Sequence, residues 1–369
     1  MSERPSVLVA MSGGVDSSVA AALLHEQGYR VRGSHLKLVH LDGVDHGCCG
    51  PQAESDARAV AELVGFEFEV VDMSERFSRT VLADFFAEHR AGRTPNPCVR
   101  CNERIKFGAF LERADEVGFD VVATGHYVRT WRDVRGRWHL GRGADVSKDQ
   151  SYVLHMLGQE QLARAMFPVG GQSKAETREH ARRMGLPVAG KPDSQEVCFV
   201  PGADHGAFLA AHAPDLVRTG GRIEDETGRV LGAHDGTFRF TIGQRRGLGV
   251  STGERRYVLE LDPAANRVVV GPGELLARPA LTAERVSWVA GEPPEGGRPF
   301  EAQVRIRYNG DEVPAVVDPS RGPDAVIVEF RVPQRAIAPG QSIVFYLGEE
   351  LLGGGRIREA LANPVGGSV

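Results

Sequence analysis

The feature that constrains the fold most is an alternation of strand-like and helical segments along the first 200 residues. Ser6 to Met11 form an apolar run that predicts a buried strand, and Val15 to Gln27 carry apolar residues at helical spacing. The alternation continues through Val31 to Leu38, Ala53 to Val64, Phe66 to Val71, Ser74 to His89, Glu103 to Val117 and Val121 to Thr124. This pattern predicts an α/β domain with a doubly wound parallel sheet, in which ligands bind beyond the carboxyl ends of the strands.

The character of the sequence changes after Phe199. Glycine and proline become frequent, and from about Arg278 short alternating runs predict strands only. These runs are Glu301 to Tyr308, Val313 to Val317, Ala325 to Phe330 and Ser342 to Leu347. Asn309-Gly310 between the first two runs indicates a hairpin. We therefore expect an α/β domain at residues 1–200, a small central domain at 201–277, a β-barrel or sandwich at 278–360 and a flexible tail at 361–369.

Cysteine usage and charge limit the classes of function. The five cysteines are Cys48, Cys49, Cys98, Cys101 and Cys198. Their odd number fits a reducing compartment better than a disulfide framework. No apolar stretch reaches the ~18 residues of a membrane span and no signal peptide precedes the first strand, so we expect a cytoplasmic protein. Because the net charge is −5, RNA binding would depend on local basic patches.

The segment Ser12 to Ser18 (Ser-Gly-Gly-Val-Asp-Ser-Ser) lies between the first predicted strand and the first predicted helix. Gly13 and Gly14 let the backbone approach a phosphate, and the helix N-terminus presents unbonded N–H groups. Serine hydroxyls add donors, and Asp16 is a candidate Mg²⁺ ligand. The alternative is a capped turn without a ligand. The string resembles the loop of the ATP-pyrophosphatase superfamily, whose members cleave ATP between the α- and β-phosphates.

A Walker A loop is not present at this position, because the lysine that reaches the phosphates is missing from it. The segment Gly185 to Lys191 imitates that motif, but Pro187 lies inside it and Pro192 replaces the serine or threonine. We interpret this similarity as chance.

The cysteines indicate which reaction follows activation by ATP. Cys101 precedes a predicted helix and has Arg100, Arg104 and Lys106 nearby, which favours a thiolate. Transfer of sulfur needs a carrier thiol and a second thiol, and Cys101 and Cys198 are candidates for this pair. A buried structural role for each cysteine and half of a zinc site are alternatives, as is an iron–sulfur cluster on Cys98, Cys101 and Cys198. We favour a persulfide relay.

Six strings in register are similar to those of bacterial tRNA-specific 2-thiouridylases. They are Ala10 to Ser18, Thr94 to Phe107, Ala123 to Tyr127, Lys148 to Tyr152, Lys191 to Phe199 and Thr241 to Gly249. The resemblance implies a loop-bearing ATP domain, a small central domain and a C-terminal β-barrel. It also implies ATP-dependent adenylation of the wobble uridine C2 oxygen in tRNA, followed by sulfur transfer from a cysteine persulfide to give 2-thiouridine, AMP and pyrophosphate. A sulfur-relay protein or a cysteine desulfurase would supply the persulfide.

The resemblance also assigns roles to individual residues. Cys101 matches the nucleophile and Cys198 the persulfide carrier. The residues that match nucleotide-binding positions are Ala10, Met11, Ser12, Gly13, Gly14, Val15, Asp16, Ser17, Leu36 and Gly125. Those that match tRNA-contacting positions are Asn96, Pro97, Cys98, His126, Lys148, Asp149, Gln150, Arg307, Tyr308 and Gln341.

One position departs from the family pattern. Many relatives carry aspartate where this chain has Cys98, which puts an acid–base role there in doubt. Cys48 and Cys49 lie outside the matched strings and receive no role. Two other functions share the loop. An amidating ligase would need no thiol, and a non-catalytic nucleotide- or RNA-binding module would release no pyrophosphate.

Overall fold

The computed structural model describes residues 4–39, 50–193, 197–200, 202, 204–251 and 253–363. Cys48, Cys49 and most of the predicted tail lie outside these residues, although Leu361 is the last residue of a strand. No helix in the described part of the chain is both long and apolar enough to cross a membrane.

A five-stranded parallel sheet organises the N-terminal part, with the strand order β3-β2-β1-β4-β7. Its strands are β1 (Val7–Ala10), β2 (Val31–Lys37), β3 (Glu67–Asp72), β4 (Val121–Ala123) and β7 (Ala165–Met166). Two further strands, β5 (Val128–Arg132) and β6 (Trp138–Arg142), form a hairpin after β4.

Helices cover both faces of this sheet. They are α1 (Val15–Glu26), α2 (Pro51–Val64), α3 (Ser74–Phe77), α4 (Ala83–Arg90), α5 (Pro97–Cys101), α6 (Phe110–Glu116), α7 (Gln159–Ala163) and α8 (Lys174–Arg183). The π-helical segments Ser78–Leu82 and Asn102–Ala109 join α3 to α4 and α5 to α6. Side chains of β1 alternate between two cores, because Val7 and Val9 pack with α1 and α2 whereas Leu8 packs with α4 and α6. The predicted doubly wound arrangement is therefore confirmed.

The central part contains α9 (His205–His212) and a four-stranded sheet in the order β10-β11-β8-β9. Its strands are β8 (Gly221–Asp225), β9 (Val230–His234), β10 (Tyr257–Asp262) and β11 (Arg267–Gly271). Ile223, Val258, Val268 and Val270 lie in its small core.

The C-terminal strands form a closed antiparallel barrel. They are β12 (Arg278–Trp288), β13 (Phe300–Arg305), β14 (Val313–Asp318), β15 (Ala325–Gln334), β16 (Ser342–Leu347) and β17 (Glu350–Leu361). Closure comes from the pairing of β12 with β17, so the structure decides for a barrel over a sandwich. Asn309-Gly310 lies between β13 and β14, which pair as predicted.

The β5–β6 hairpin belongs to the N-terminal part in sequence but extends the barrel sheet. Gly141 and Leu140 of β6 pair with Glu350 and Leu351 of β17. This connection was not predicted, and it fixes the barrel beside the carboxyl ends of the parallel strands. Short 3₁₀ helices complete the chain: Val146–Lys148, Ser151–Leu154, Pro214–Leu216, Thr237–Arg239, Gly273–Leu276 and Pro294–Gly297.

Candidate active site

The loop between β1 and α1 is held by contacts on two sides. Gly13 has a φ of +70°, and a Cβ there would lie 2.2 Å from the carbonyl oxygen of Ala53 in α2. The Ser12 amide donates to the Ser17 hydroxyl at 3.2 Å, so this hydroxyl is used inside the loop. Gly14 caps α1 in an extended conformation without a side-chain cap. The first N–H groups of α1 are therefore available to an anion.

The other predicted nucleotide-binding residues lie at the same edge of the sheet. Met11 follows β1, and its amide donates to the Ser34 carbonyl oxygen at 2.8 Å. Leu36 lies near the end of β2, and Gly125 follows β4. A Cβ on Gly125 would lie 2.5 Å from the amide nitrogen of Ser17, so this turn contacts the start of α1. The parallel sheet thus brings the predicted nucleotide-binding residues together, while their role in binding stays a prediction.

Asp16 is engaged by two residues that the sequence did not indicate. The Lys174 Nζ donates to both Asp16 carboxylate oxygens, at 2.7 and 2.8 Å, and the Tyr127 hydroxyl donates to Oδ1 at 2.8 Å. Lys174 also lies 2.8 Å from Asp193. Burial raises the pKa of Asp193, but hydrogen bonds from Lys174 and Lys148 outweigh it and lower the pKa to about 2. An ammonium group therefore lies between two carboxylates beside the loop.

A second lysine contacts the loop at Gly13. The Lys191 Nζ donates to the Gly13 carbonyl oxygen at 2.9 Å and to Asp56 of α2 at 2.6 Å. Burial raises the pKa of Asp56, but hydrogen bonds from Lys191 and Gln52 lower it below its ordinary value. The Walker-like segment that ends at Lys191 is not a phosphate loop, yet its lysine contacts the loop that lacked one.

The helix that carries Cys101 begins earlier than predicted. It starts at Pro97, not after Cys101, because the Asn96 side chain caps it by accepting from the amides of Cys98 and Val99. Proline is compatible with the first helical position, where no N–H is needed. Cys98 consequently lies in the first turn and is exposed, whereas Cys101 is the fifth helical residue and is buried.

The basic residues around Cys101 are paired with carboxylates. The Arg100 Nη1 donates to Glu103 at 2.6 Å, and its Nε lies 3.5 Å from Asp84. Arg104 lies 3.3 Å from Glu103. Arg100 and Arg104 are thus ion-paired, and a thiolate at Cys101 stays a prediction.

Cys101 and Cys198 border the same hydrophobic cluster. Cys101 is part of it, and the half-buried Cys198 packs against it. Phe199, next to Cys198, lies edge-on to Phe77 at a centroid distance of 5.6 Å. Leu36, from the end of β2, belongs to this cluster too. Two thiols separated by nearly 100 residues in sequence thus reach the side of the sheet that carries α4 and α6.

The barrel places Tyr308 and Gln341 beside the start of α5. The Gln341 Nε2 donates to the Thr94 carbonyl oxygen at 2.9 Å, and the Thr94 amide donates to Pro339 at 2.8 Å. Burial raises the pKa of Tyr308, and the nearby Asp149 and Cys98 add to the rise. Asn96, Pro97, Cys98, Tyr308 and Gln341 therefore form one neighbourhood. Arg307 is exposed on the same loop, and its guanidinium donates to the Arg335 carbonyl oxygen.

The remaining tRNA candidates are His126, Lys148, Asp149 and Gln150, and Lys148 lies 2.9 Å from Asp193. Asp149 is buried; it accepts from Ser151 Oγ at 2.8 Å and lies 3.6 Å from Arg305 of the barrel, so it holds the two domains together. Gln150 accepts from the Tyr127 amide at 3.0 Å. Burial lowers the pKa of His126 well below its ordinary value, and Lys106 adds to the shift, so its ring is neutral.

No group of three or more cysteine, histidine, aspartate or glutamate side chains is arranged to hold a metal ion in the described ranges. The iron–sulfur interpretation, which needed Cys98, Cys101 and Cys198 together, gains no support from this geometry.

Comparisons with known proteins follow the division of the structure. Family models match residues 5–202 (tRNA methyl transferase HUP domain), 206–272 (tRNA methyl transferase PRC-barrel domain) and 278–357 (aminomethyltransferase β-barrel domain). The tRNA-specific 2-thiouridylase MnmA of Acidothermus cellulolyticus is 49% identical, covering 98% of this chain and 99% of that protein. The tRNA-specific 2-thiouridylase MnmA of Geobacter metallireducens is 48% identical to this chain and covers 98% of it, and 98% of that protein is matched. The one of Heliobacterium modesticaldum is 47% identical, covering 96% of this chain and 92% of that protein. This chain belongs to the tRNA-specific 2-thiouridylase family.

Membership of the 2-thiouridylase family confirms the predicted fold class and the use of ATP by the HUP domain. The residues that sequence reasoning missed are those that reach the loop from a distance: Asp56, Tyr127, Lys174, Lys191 and Asp193. The one available signal was indirect, since a phosphate loop without its own lysine needs cationic groups from elsewhere.

Proposed function

We propose that this chain converts a tRNA uridine into 2-thiouridine, with ATP as the activating substrate and a cysteine persulfide as the sulfur source. The observation that carries this proposal is the near-full-length identity to the 2-thiouridylases, at 49% over 98% of the chain. The geometry agrees with it, because Cys101 and Cys198 border one cluster that extends to the nucleotide edge of the sheet.

ATP supplies the adenylyl group that turns the uridine O2 into a leaving group, and pyrophosphate departs. The N–H groups at the start of α1 would hold phosphate oxygens. Lys191 and Lys174 would add the positive charge that the loop itself lacks. Asp16 would hold a Mg²⁺ ion, because carboxylate oxygens are its preferred protein ligands.

Sulfur transfer then uses the two thiols in sequence. The terminal sulfur of the Cys198 persulfide attacks C2, and AMP leaves with the former O2. The Cys101 thiolate next attacks Cys198 Sγ, the sulfur–sulfur bond breaks, and the transferred sulfur stays on C2. The resulting Cys101–Cys198 disulfide is reduced by an external thiol. A sulfur-relay protein or a cysteine desulfurase would reload Cys198.

The target uridine would lie beside the start of α5. Asn96, Pro97 and Cys98 supply this surface, and Tyr308 and Gln341 bring the barrel to it. Cys98 is exposed in the first turn of α5, so we assign it to contact with the base. His126, Lys148 and Gln150 would contact the RNA next to this surface.

The decisive experiment measures 2-thiouridine directly. Unmodified tRNA is incubated with the protein, ATP, Mg²⁺ and a persulfide donor, and its nucleosides are analysed by mass spectrometry. Cys101→Ser and Cys198→Ser should each abolish 2-thiouridine while ATP binding persists, and Cys49→Ser serves as a thiol-matched control. Full activity of Cys198→Ser would rule out the relay. Pyrophosphate release with a small amine acceptor and no need for either thiol would favour an amidating ligase instead.

A further inference from the structure

The β5–β6 hairpin has a composition unlike the rest of this acidic chain. Residues 128–142 contain five arginines and a single acidic residue, Asp133, whereas the whole chain has a net charge of −5. The hairpin also carries two of the three tryptophans of the chain, Trp131 and Trp138. Basic side chains interleaved with aromatic ones are typical of surfaces that bind nucleic acid.

Ion pairing leaves the outer part of the hairpin positive. Arg129 lies 2.9 Å from Glu349, and Arg137 lies 3.3 Å from Asp133. Arg132 and Arg135 are exposed, and neither forms an ion pair with a carboxylate in the part of the chain that the structure describes. The Arg132 guanidinium lies 5.2 Å from the Trp138 ring centroid and donates to the Gly136 carbonyl oxygen, so it is held in place without being neutralised.

An exposed indole accompanies these charges. Trp131 is 39% exposed and stacks on His139, with a centroid distance of 5.4 Å and an interplanar angle of 7°. Charged residues on an edge strand such as β5 also prevent strands of other molecules from pairing. Protection of the edge strand accounts for the arginines but not for the exposed indole. A nucleic acid accounts for both, because its phosphates would pair with the arginines and one of its nucleotides would stack on Trp131.

The hairpin is anchored beside the predicted RNA-binding residues. It begins two residues after His126 and ends shortly before Lys148. At its base, Arg142 is buried and forms a bidentate ion pair with Glu312 of the barrel, at 2.5 and 2.7 Å. Five residues per strand at about 3.3 Å each carry the turn roughly 16 Å from this base. The hairpin is therefore a fixed extension of the proposed RNA-binding surface.

We infer that the β5–β6 hairpin is a tRNA-binding element that contacts the ribose–phosphate backbone away from the target uridine. Arg132 and Arg135 bind phosphates, and Trp131 stacks on a nucleotide. This inference rests on the proposed function, since it requires that tRNA is the substrate.

The test measures the affinity for labelled tRNA at several salt concentrations, with fluorescence anisotropy as the readout. Each phosphate contact adds about 0.9 to the slope of log K against log salt and about fivefold in affinity at 0.15 M salt. The double variant Arg132→Glu/Arg135→Glu should therefore lower the slope by about 2 and weaken binding roughly 30-fold. Trp131→Ala should weaken binding on the order of tenfold with little change in slope. ATP affinity should stay unchanged in both.

The matched control is Arg298→Glu/Arg321→Glu, which makes the same change of charge on exposed loops. Those loops flank the paired residues Phe300 and Val317, at the end of β13 and β14 opposite Tyr308. An equal loss of affinity in the control would overturn the inference, because net charge alone would explain the result. Wild-type affinity and slope in the hairpin variants would overturn it while leaving the proposed function intact. Failure of the wild-type protein to bind tRNA would overturn both.

Discussion

Replacing Gly13 by alanine tests whether contact with α2 shapes the nucleotide loop. The φ of +70° costs a residue with a Cβ about 1–2 kcal/mol. The new Cβ would also lie 2.2 Å from the Ala53 carbonyl oxygen and 2.7 Å from its Cα. Contacts between carbon atoms are optimal at about 3.5–4.0 Å, so the loop or α2 must move by roughly 1 Å. Overpacking of this kind costs about 1–3 kcal/mol, which brings the expected loss of stability to about 2–5 kcal/mol.

The displacement should also slow catalysis, since a shift of about 1 Å at a reacting site costs on the order of 100-fold in rate. Urea unfolding, monitored by circular dichroism, measures the loss of stability. ATP titration and the thiolation rate measure the effect on nucleotide binding and catalysis. Gly171→Ala is the control, because no atom lies within 4 Å of its new Cβ. Gly14→Ala should fold normally, because its nearest atom is 3.5 Å away, yet it should weaken ATP binding if phosphates approach the backbone there. A Gly13→Ala protein equal to wild type in unfolding midpoint and ATP affinity would refute this reasoning.

Three further outcomes are expected. Lys174→Met should weaken ATP binding on the order of tenfold by calorimetry, since it removes a cation beside the loop; unchanged affinity would exclude Lys174 from the phosphate site. Because the pKa of Asp193 falls to about 2, its stabilising contribution is present above its ordinary pKa of 3.8 and is lost as the pH falls toward 2. Wild type and Asp193→Asn should thus differ in melting temperature above pH 4 and converge at pH 2. Arg356→Met should cost about 2 kcal/mol in urea unfolding, since it removes a 2.6 Å charged hydrogen bond to Glu88, whose side chain is 4% exposed and stays paired with Arg93. Arg331→Met, which removes the exposed ion pair with Glu301, should lower the free energy of unfolding by less than about 1 kcal/mol. Equal losses of stability in the two variants would contradict the role of burial.

The α/β part of the fold was predictable because burial on both faces of the sheet leaves continuous apolar runs in the sequence. The barrel was predictable only where its strands alternate. Strand β17 was missed, since Gly353-Gly354-Gly355 argues against a strand. The structure needs these glycines, because a Cβ on Gly353 would lie 2.3 Å from the Ser287 carbonyl oxygen and one on Gly354 would lie 2.6 Å from that of Ile343. Such contacts depend on tertiary structure and leave no periodic signal.

The parts of the candidate site that are local in sequence were predictable, and those that depend on tertiary structure were not. The loop was predictable because glycines, a helix start and a preceding strand are adjacent in sequence. The predicted start of α5 is wrong, because the sequence places it after Cys101 although Pro97 is the first helical residue. The lysines at the loop were missed, since Lys174 and Lys191 lie 158 and 178 residues from their partners Asp16 and Gly13.

Lysines distant in sequence bring positive charge to the loop, which has no lysine of its own. Backbone N–H groups position an anion but provide only the partial charge of a helix end, so a triphosphate needs further cations. Lys174 provides one, and it shares Asp193 with Lys148, which lies 2.9 Å from that carboxylate. Lys148 belongs to the predicted tRNA-binding segment, and Asp193 precedes Cys198 by five residues. A single carboxylate therefore connects Lys174 at the nucleotide loop with Lys148 of the predicted tRNA-binding segment. If phosphate oxygens draw Lys174 away, Asp193 loses one of its hydrogen-bond partners and keeps Lys148, so we expect occupancy of the nucleotide site to affect the position of Lys148.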